Sequence, residues 1–198
     1  MDFDGTVAKK TPSGSEINYG IVFGGNKIVF IKSGLGGSER GYEDKYVKMA
    51  RMLNSSYGCT VIAASNPQGV IDSTDTDAEL IRLVAQARGL SEYTVTLFGV
   101  SDGGAKVITM ADSIPGVKKL ICVNMPLMLN FQRKLKQLKA IPEIEKVFVY
   151  GTRDPSYTYL VFLDNEALPN LSVVEIEGAD HQFKGMLDEF TELAELAK

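Results

Sequence analysis

Apolar residues along this chain follow two alternating patterns. Short β-branched and aromatic runs occupy residues 27–32, 59–64, 119–124, 146–150 and 171–176, and another starts at residue 94. Runs such as Lys-Ile-Val-Phe-Ile and Lys-Val-Phe-Val-Tyr are nearly unbroken, as expected of strands buried on both faces. Between them the apolar spacing is helical. Tyr46, Val47, Met49, Ala50, Met52 and Leu53 share one face of a predicted helix that ends within residues 54–58. Further helices are predicted over 75–88, opened by acidic residues and closed by Gly89, and over 127–139, 157–168 and 186–197. Ahead of this alternation, residues 2–10, 17–23 and 27–32 read as three strands punctuated by Thr11-Pro12-Ser13-Gly14 and Gly24-Gly25-Asn26, which predicts a meander at a sheet edge. Strands alternating with helices imply an α/β fold, with a mostly parallel twisted sheet and helices on both faces. No repeat, low-complexity tract or linker interrupts residues 1–198, so one domain is expected.

Composition narrows the function classes. With 198 residues, a single domain would bury roughly 70% of the surface that its unfolded chain exposes. Net charge is −4 and the basic residues are scattered, so the footprint that nucleic-acid binding needs is missing. The basic stretch at residues 133–139 reads as the solvated face of an amphipathic helix. No apolar run reaches membrane-spanning length. Cys59 and Cys122 each adjoin an apolar run and are expected to be buried and reduced. The chain holds one histidine, His181, which excludes a metal site built from several; no metal or cofactor is expected. A soluble cytoplasmic protein is expected, with no nucleic-acid or membrane partner; the oligomeric state is left open.

The candidate chemistry begins at Gly99-Val100-Ser101-Asp102-Gly103. A strand that turns into a helix through Gly-x-Ser-x-Gly presents the serine oxygen at the tip of a strained turn. Glycines on either side let strand and helix approach closely. Ser101 is therefore the candidate nucleophile. A serine hydroxyl needs a neighbouring base. His181, in a loop after the last strand and before the terminal helix, is the candidate base. A buried carboxylate would orient the imidazole. Asp154 is preferred for that role over Asp180, Asp102 and Asp164, because it ends a buried strand in a Gly-x-x-Asp-Pro turn from which it can reach inward. Asp180 adjoins His181, and sequence neighbours rarely face each other. Asp102 should begin a helix, with its backbone N–H free to donate to an oxyanion and its side chain pointing away.

The order of elements, the elbow at residues 99–104, the aspartate after the next-to-last strand and the histidine after the last resemble the α/β-hydrolase fold over essentially the whole chain. The Ser-Asp-Gly-Gly form of the elbow is similar to that of small single-domain esterase and peptidase-type members. By that resemblance, Ser33-Gly34-Leu35-Gly36-Gly37 corresponds to the family's His-Gly-x-Gly-Gly loop, which implies an oxyanion hole made by the N–H groups of Leu35 and Asp102. Two positions depart from the family pattern. Ser33 replaces the histidine, and Asn66-Pro67-Gln68-Gly69 replaces the usual Asp-x-x-Gly-x-Gly loop. Residues 125–145 leave room for about one helix and hence no substantial lid, so an open, shallow site is expected. Gly34, Leu35, Met125, Leu127, Met128 and Phe183 are candidates to line it.

These features point to a serine hydrolase acting without a cofactor on a small soluble ester, thioester or small amide through an acyl-enzyme. A non-catalytic binding module on the same fold, and an acyltransferase or cofactor-free perhydrolase, are the alternatives. A rival lies at the N-terminus, where Asp2-Phe3-Asp4-Gly5-Thr6 resembles the Asp-x-Asp-Gly-Thr motif of haloacid-dehalogenase-type phosphatases. Only Met1 precedes it, so no strand is available to carry the first aspartate, and an exposed hairpin is the expected structure.

Overall fold

The strand-forming runs assemble into one eight-stranded sheet. A computed structural model describes residues 2–164 and 166–198. Its strands are β1 (Gly5–Lys10), β2 (Glu16–Val22), β3 (Lys27–Lys32), β4 (Thr60–Ala64), β5 (Thr94–Val100), β6 (Val117–Val123), β7 (Glu145–Gly151) and β8 (Leu171–Ile176). They lie in the order β1-β2-β4-β3-β5-β6-β7-β8. The two pairings that involve β2 are antiparallel and all others are parallel. The expected three-strand meander is thus corrected: β4 lies between β2 and β3. β3 is apolar on both faces and takes a central place beside β5, leaving β1 and β2 as the edge hairpin.

Side chains alternate across a strand, and here both alternating sets are buried. Ile28 and Phe30 of β3, Leu97 of β5, Leu120 and Cys122 of β6, and Phe148 and Tyr150 of β7 join one core. That core packs under α2 (Ser73–Ala87), α3 (Asp102–Met110) and α4 (Phe131–Lys139). Val29 and Ile31, Phe98 and Val100, Ile121 and Val123, and Val147 and Val149 join the opposite core under α1 (Lys45–Tyr57), α6 (Leu187–Glu192) and α7 (Ala194–Ala197). The mostly parallel sheet with helices on both faces is as expected. Cys59 and Cys122 are buried free thiols.

Helix boundaries differ where side chains are drawn into the core. The helix expected over 127–139 starts only at Phe131, because Met125 and Leu127 are fully buried and Asn130 adopts a left-handed φ of 59° before the first turn. The helix expected over 157–168 is a 3-10 helix, Pro155–Leu160, followed by one turn, α5 (Val161–Asp164); residue 165 lies outside the described residues. The terminal helix is split at Leu193. Between β6 and β7 stands α4 alone, so no lid covers the sheet.

The phosphatase-like motif sits at the exposed edge. Asp2 pairs with Arg40 at 2.6 Å and Asp4 with Arg51 at 2.8 Å, while the other Asp4 oxygen accepts the Phe23 amide. Asp2 is thus tied to the loop before α1, and Asp4 to α1 and the end of β2.

β3 is flanked by β4 on one side and β5 on the other, with chain connections leaving in opposite directions. The crevice beyond the carboxyl ends of β3 and β5 is the topological switch point at which open α/β sheets gather functional groups.

Candidate active site

At the end of β5 the backbone turns through Ser101 with φ 53° and ψ −124°, a conformation that an L-residue holds only when its surroundings enforce it. Its amide donates to Val123 O at 2.8 Å, and its carbonyl accepts the Gly104 amide at 2.9 Å. The glycines are sterically required. A Cβ on Gly99 would lie 2.4 Å from Gly103 O, and a Cβ on Gly103 would lie 2.3 Å from Lys32 O. The turn thus brings α3 against the end of β3.

His181 Nε2 lies 3.0 Å from Ser101 Oγ, and His181 Nδ1 contacts Asp154 Oδ2. Asp154 is buried at the start of the 3-10 helix after β7, where its other oxygen accepts the Ser156 amide at 2.6 Å. With Asp154 ionised, these partners select the imidazole tautomer with the proton on Nδ1, leaving Nε2 to accept from the serine. Asp180, the rejected alternative, takes the Gln182 and Lys184 amides on Oδ1 at 3.0 and 2.9 Å. Those amides, the Lys184 one foremost, hold its carboxyl below the usual range.

Two asparagines that the sequence reading left unused hold the loops in place. Asn124, at a left-handed φ of 48° after β6, donates Nδ2 to Asp180 O at 3.1 Å and His181 O at 3.3 Å, and its Oδ1 accepts the Gly151 amide at 2.8 Å. Asn66 donates Nδ2 to Ser33 O at 3.2 Å and to Asp102 Oδ2 at 3.0 Å. The Asp102 side chain, expected to point away from any partner, is therefore a tether to Asn66. Backbone bonds Gly36 N to Asn66 O (2.7 Å) and Asn66 N to Gly37 O (2.9 Å) complete that junction. Their positions two residues past β4 and one past β6 are the signal that could have marked both.

Ser33, in place of the expected histidine, donates its hydroxyl to Gly37 O at 3.0 Å and closes the loop on itself. The amides of Gly36 and Gly37 are taken up by Asn66 O and Gly34 O. Among the described residues those of Leu35 and Asp102 have no acceptor, and Asp102 opens α3, where a helix leaves its first amides free.

A cleft of about 570 Å³ opens over this group. Gly34 to Ser38, Gly41, Tyr42, Lys45, Tyr46, Val100, Ser101, His181 and Gln182 form its wall. Gly34 stands against the serine, since a Cβ on it would lie 3.2 Å from Ser101 Cβ. Leu35 is 59% exposed at the rim. The other proposed lining residues are corrected. Met125 and Leu127 are fully buried in the core under α3 and α4, and Phe183 is buried against Phe190. Met128 is exposed but outside the wall. Met125 and Leu127 enter the core directly after β6, and Lys45 and Tyr46, which open α1, stand in the wall instead.

No family model and no curated protein matches the sequence. Solved structures do. Est1E from Butyrivibrio proteoclasticus superposes with a TM-score of 0.73 at 16% identity, over 98% of this chain and 97% of that one. An α/β serine hydrolase without a lid from Xanthomonas campestris gives 0.69 at 16% identity, over 98% and 92%. An S-formylglutathione hydrolase from Agrobacterium tumefaciens gives 0.73 at 13% identity, over 98% and 93%. The chain has the α/β-hydrolase fold in its lidless form. No helix among the described residues is long and apolar enough to cross a membrane.

Proposed function

We propose that this protein is a serine hydrolase that cleaves small carboxylic esters or thioesters through an acyl-enzyme on Ser101. The observation that carries this reading is the unbroken relay from Ser101 Oγ through the His181 imidazole to a buried Asp154 carboxylate. His181 Nε2 takes the hydroxyl proton as Oγ attacks the carbonyl carbon, and Asp154 stabilises the imidazolium that forms. The free amides of Leu35 and Asp102 are the donors for the developing oxyanion; one such donor typically contributes about 3 kcal/mol to transition-state stabilisation. His181 then gives its proton to the leaving alcohol or thiol, and water repeats the cycle on the acyl-enzyme. The lidless cleft favours small substrates over long-chain lipids. An esterase domain from Rhodothermus marinus and the S-formylglutathione hydrolase are among the structures that this chain resembles, which supports ester and thioester chemistry.

A fluorophosphonate probe tests the proposal. It should label Ser101 stoichiometrically, and His181→Ala should slow labelling by on the order of 10⁴-fold or more, as loss of a triad base does. Absent labelling, or labelling equally fast in His181→Ala, would return the chain to the non-catalytic reading.

A further inference from the structure

Four lysines are buried among the described residues, and three are well supplied with acceptors. Lys32 meets Asp77 at 2.8 Å and Ser65 O at 2.9 Å. Lys146 donates to the carbonyls of Ile141, Ile144 and Pro169. Lys134 donates to those of Pro126 and Leu129. Lys45, 4% exposed, has a single oxygen, Gln182 O, at 3.3 Å. It is also the one of the four that forms part of the wall of the Ser101 cleft.

The Lys45 ammonium is under-satisfied. Its Nζ lies 4.4 Å from the Phe190 ring centre and 5.5 Å from that of Tyr46; these faces attract a cation without neutralising it. Among the described residues no carboxylate forms an ion pair with it. Asp180 is close enough to favour the ammonium, yet its Oδ1 is committed to two loop amides. Burial pushes the ammonium down to about 8, which leaves it largely charged at neutral pH. Lys45 also opens α1, a 13-residue helix with no side-chain cap and no acidic residue in its first turn. Asp44, at the cap position, pairs instead with Arg40 at 2.7 Å. The backbone amides of Lys45 and Tyr46 are taken up by Tyr42 O and Arg40 O, so Nζ is the donor left to serve the cleft. With one carbonyl at 3.3 Å and two ring faces, the buried ammonium still lacks an anionic acceptor, and an anion entering the cleft would supply one.

We propose that the Lys45 ammonium forms an anion subsite, so that the preferred substrates of this cleft are esters carrying a carboxylate near the scissile bond. The proposal rests on the hydrolase reading for its location and makes Lys45 a specificity-determining residue.

Two matched ester pairs test it. Monomethyl adipate against methyl hexanoate places the charge on the acyl side; O-acetylglycolate against propyl acetate places it on the leaving side. In at least one pair the anionic member should have the higher kcat/KM, on the order of 30-fold, as expected for a charge-assisted hydrogen bond. Lys45→Met should bring that ratio to about 1 and Lys45→Arg should keep most of it, whatever either variant does to absolute rates. A ratio at or below 1 in both pairs, or a ratio unchanged in Lys45→Met, overturns the subsite. If no ester of either kind is cleaved, fluorophosphonate labelling decides the hydrolase reading, and calorimetry with adipate decides the subsite alone. Binding to the native protein but not to Lys45→Met supports it; no binding to the native protein overturns it.

Discussion

The two halves of the candidate site are held by different physics. The serine half is built by sterics within a few residues. Ser101 keeps its left-handed φ because Gly99 and Gly103 admit a neighbouring backbone where a Cβ would sit at 2.4 and 2.3 Å. The histidine half is built by hydrogen bonds from distant residues. Asn124 reaches the carbonyls of Asp180 and His181 from the end of β6, and Asp154 reaches the ring from the end of β7. A steric arrangement tolerates no partial loss, whereas a hydrogen-bonded one can be dismantled bond by bond.

The strongest test of that contrast is Gly103→Ala. Its Cβ would meet two backbone carbonyls, Lys32 O at 2.3 Å and Ser33 O at 2.5 Å, and neither belongs to a side chain that could swing away. Overpacking of this kind costs about 3 kcal/mol. In a domain of this size that lowers Tm by roughly 10 °C. Calorimetry should show the drop, and fluorophosphonate labelling of Ser101 should fall with it. An unchanged Tm would mean that the elbow is far more pliable than its contacts indicate.

Asn124 should show the graded behaviour of the other half. Asn124→Ala removes both hydrogen bonds to the histidine loop and strands the buried Gly151 amide, whereas Asn124→Asp keeps an acceptor for that amide but sets a buried carboxylate against the carbonyls of Asp180 and His181. Both variants should lower kcat/KM toward p-nitrophenyl acetate by about 100-fold, the scale set by misplacing a catalytic group by about 1 Å. Both should also lose stability, the alanine variant by about 1–3 kcal/mol from the unpaired amide and the aspartate variant through its buried charge. Stability losses with kcat/KM unchanged would assign Asn124 a purely structural role.

This contrast also accounts for what could be read before the fold was known. The elbow was legible because its requirement is local: three fixed letters at the end of an apolar run determine the turn. The parallel sheet was legible for a similar reason, since runs such as β3 and β7 are apolar on both alternating faces. Asp154 and His181 were legible from their places after the last two strands and from the chain's single histidine. Asn66 and Asn124 were not, because an asparagine after a strand reads as an ordinary turn former until the fold sets its amide against a distant carbonyl. The cleft wall failed at Met125, Leu127 and Phe183 because hydrophobicity alone cannot say which of two faces a side chain will take. Lys45 was hidden by its apparent fit as the charged entry to an amphipathic helix.

The smallest expected effect concerns the loop that faces the elbow, where the two kinds of support meet. Residues 33–37 are held by three hydrogen bonds to Asn66, by the Gly37 amide on Gly34 O, and by the Ser33 hydroxyl on Gly37 O. Resemblance implies a histidine where Ser33 stands, so Ser33 is the natural residue to suspect of weakening the site. The network argues otherwise. The Ser33 hydroxyl is one bond among several that fix the Leu35 amide, and removing it leaves the Asn66 junctions intact. Ser33→Ala should therefore cost about 1 kcal/mol, lowering kcat by roughly 5-fold with KM nearly unchanged, because an oxyanion donor acts in the transition state more than in the ground state. A loss above about 50-fold would show that the serine, and not Asn66, carries the loop. In that case the oxyanion side would belong with the all-or-none elbow rather than with the graded histidine side.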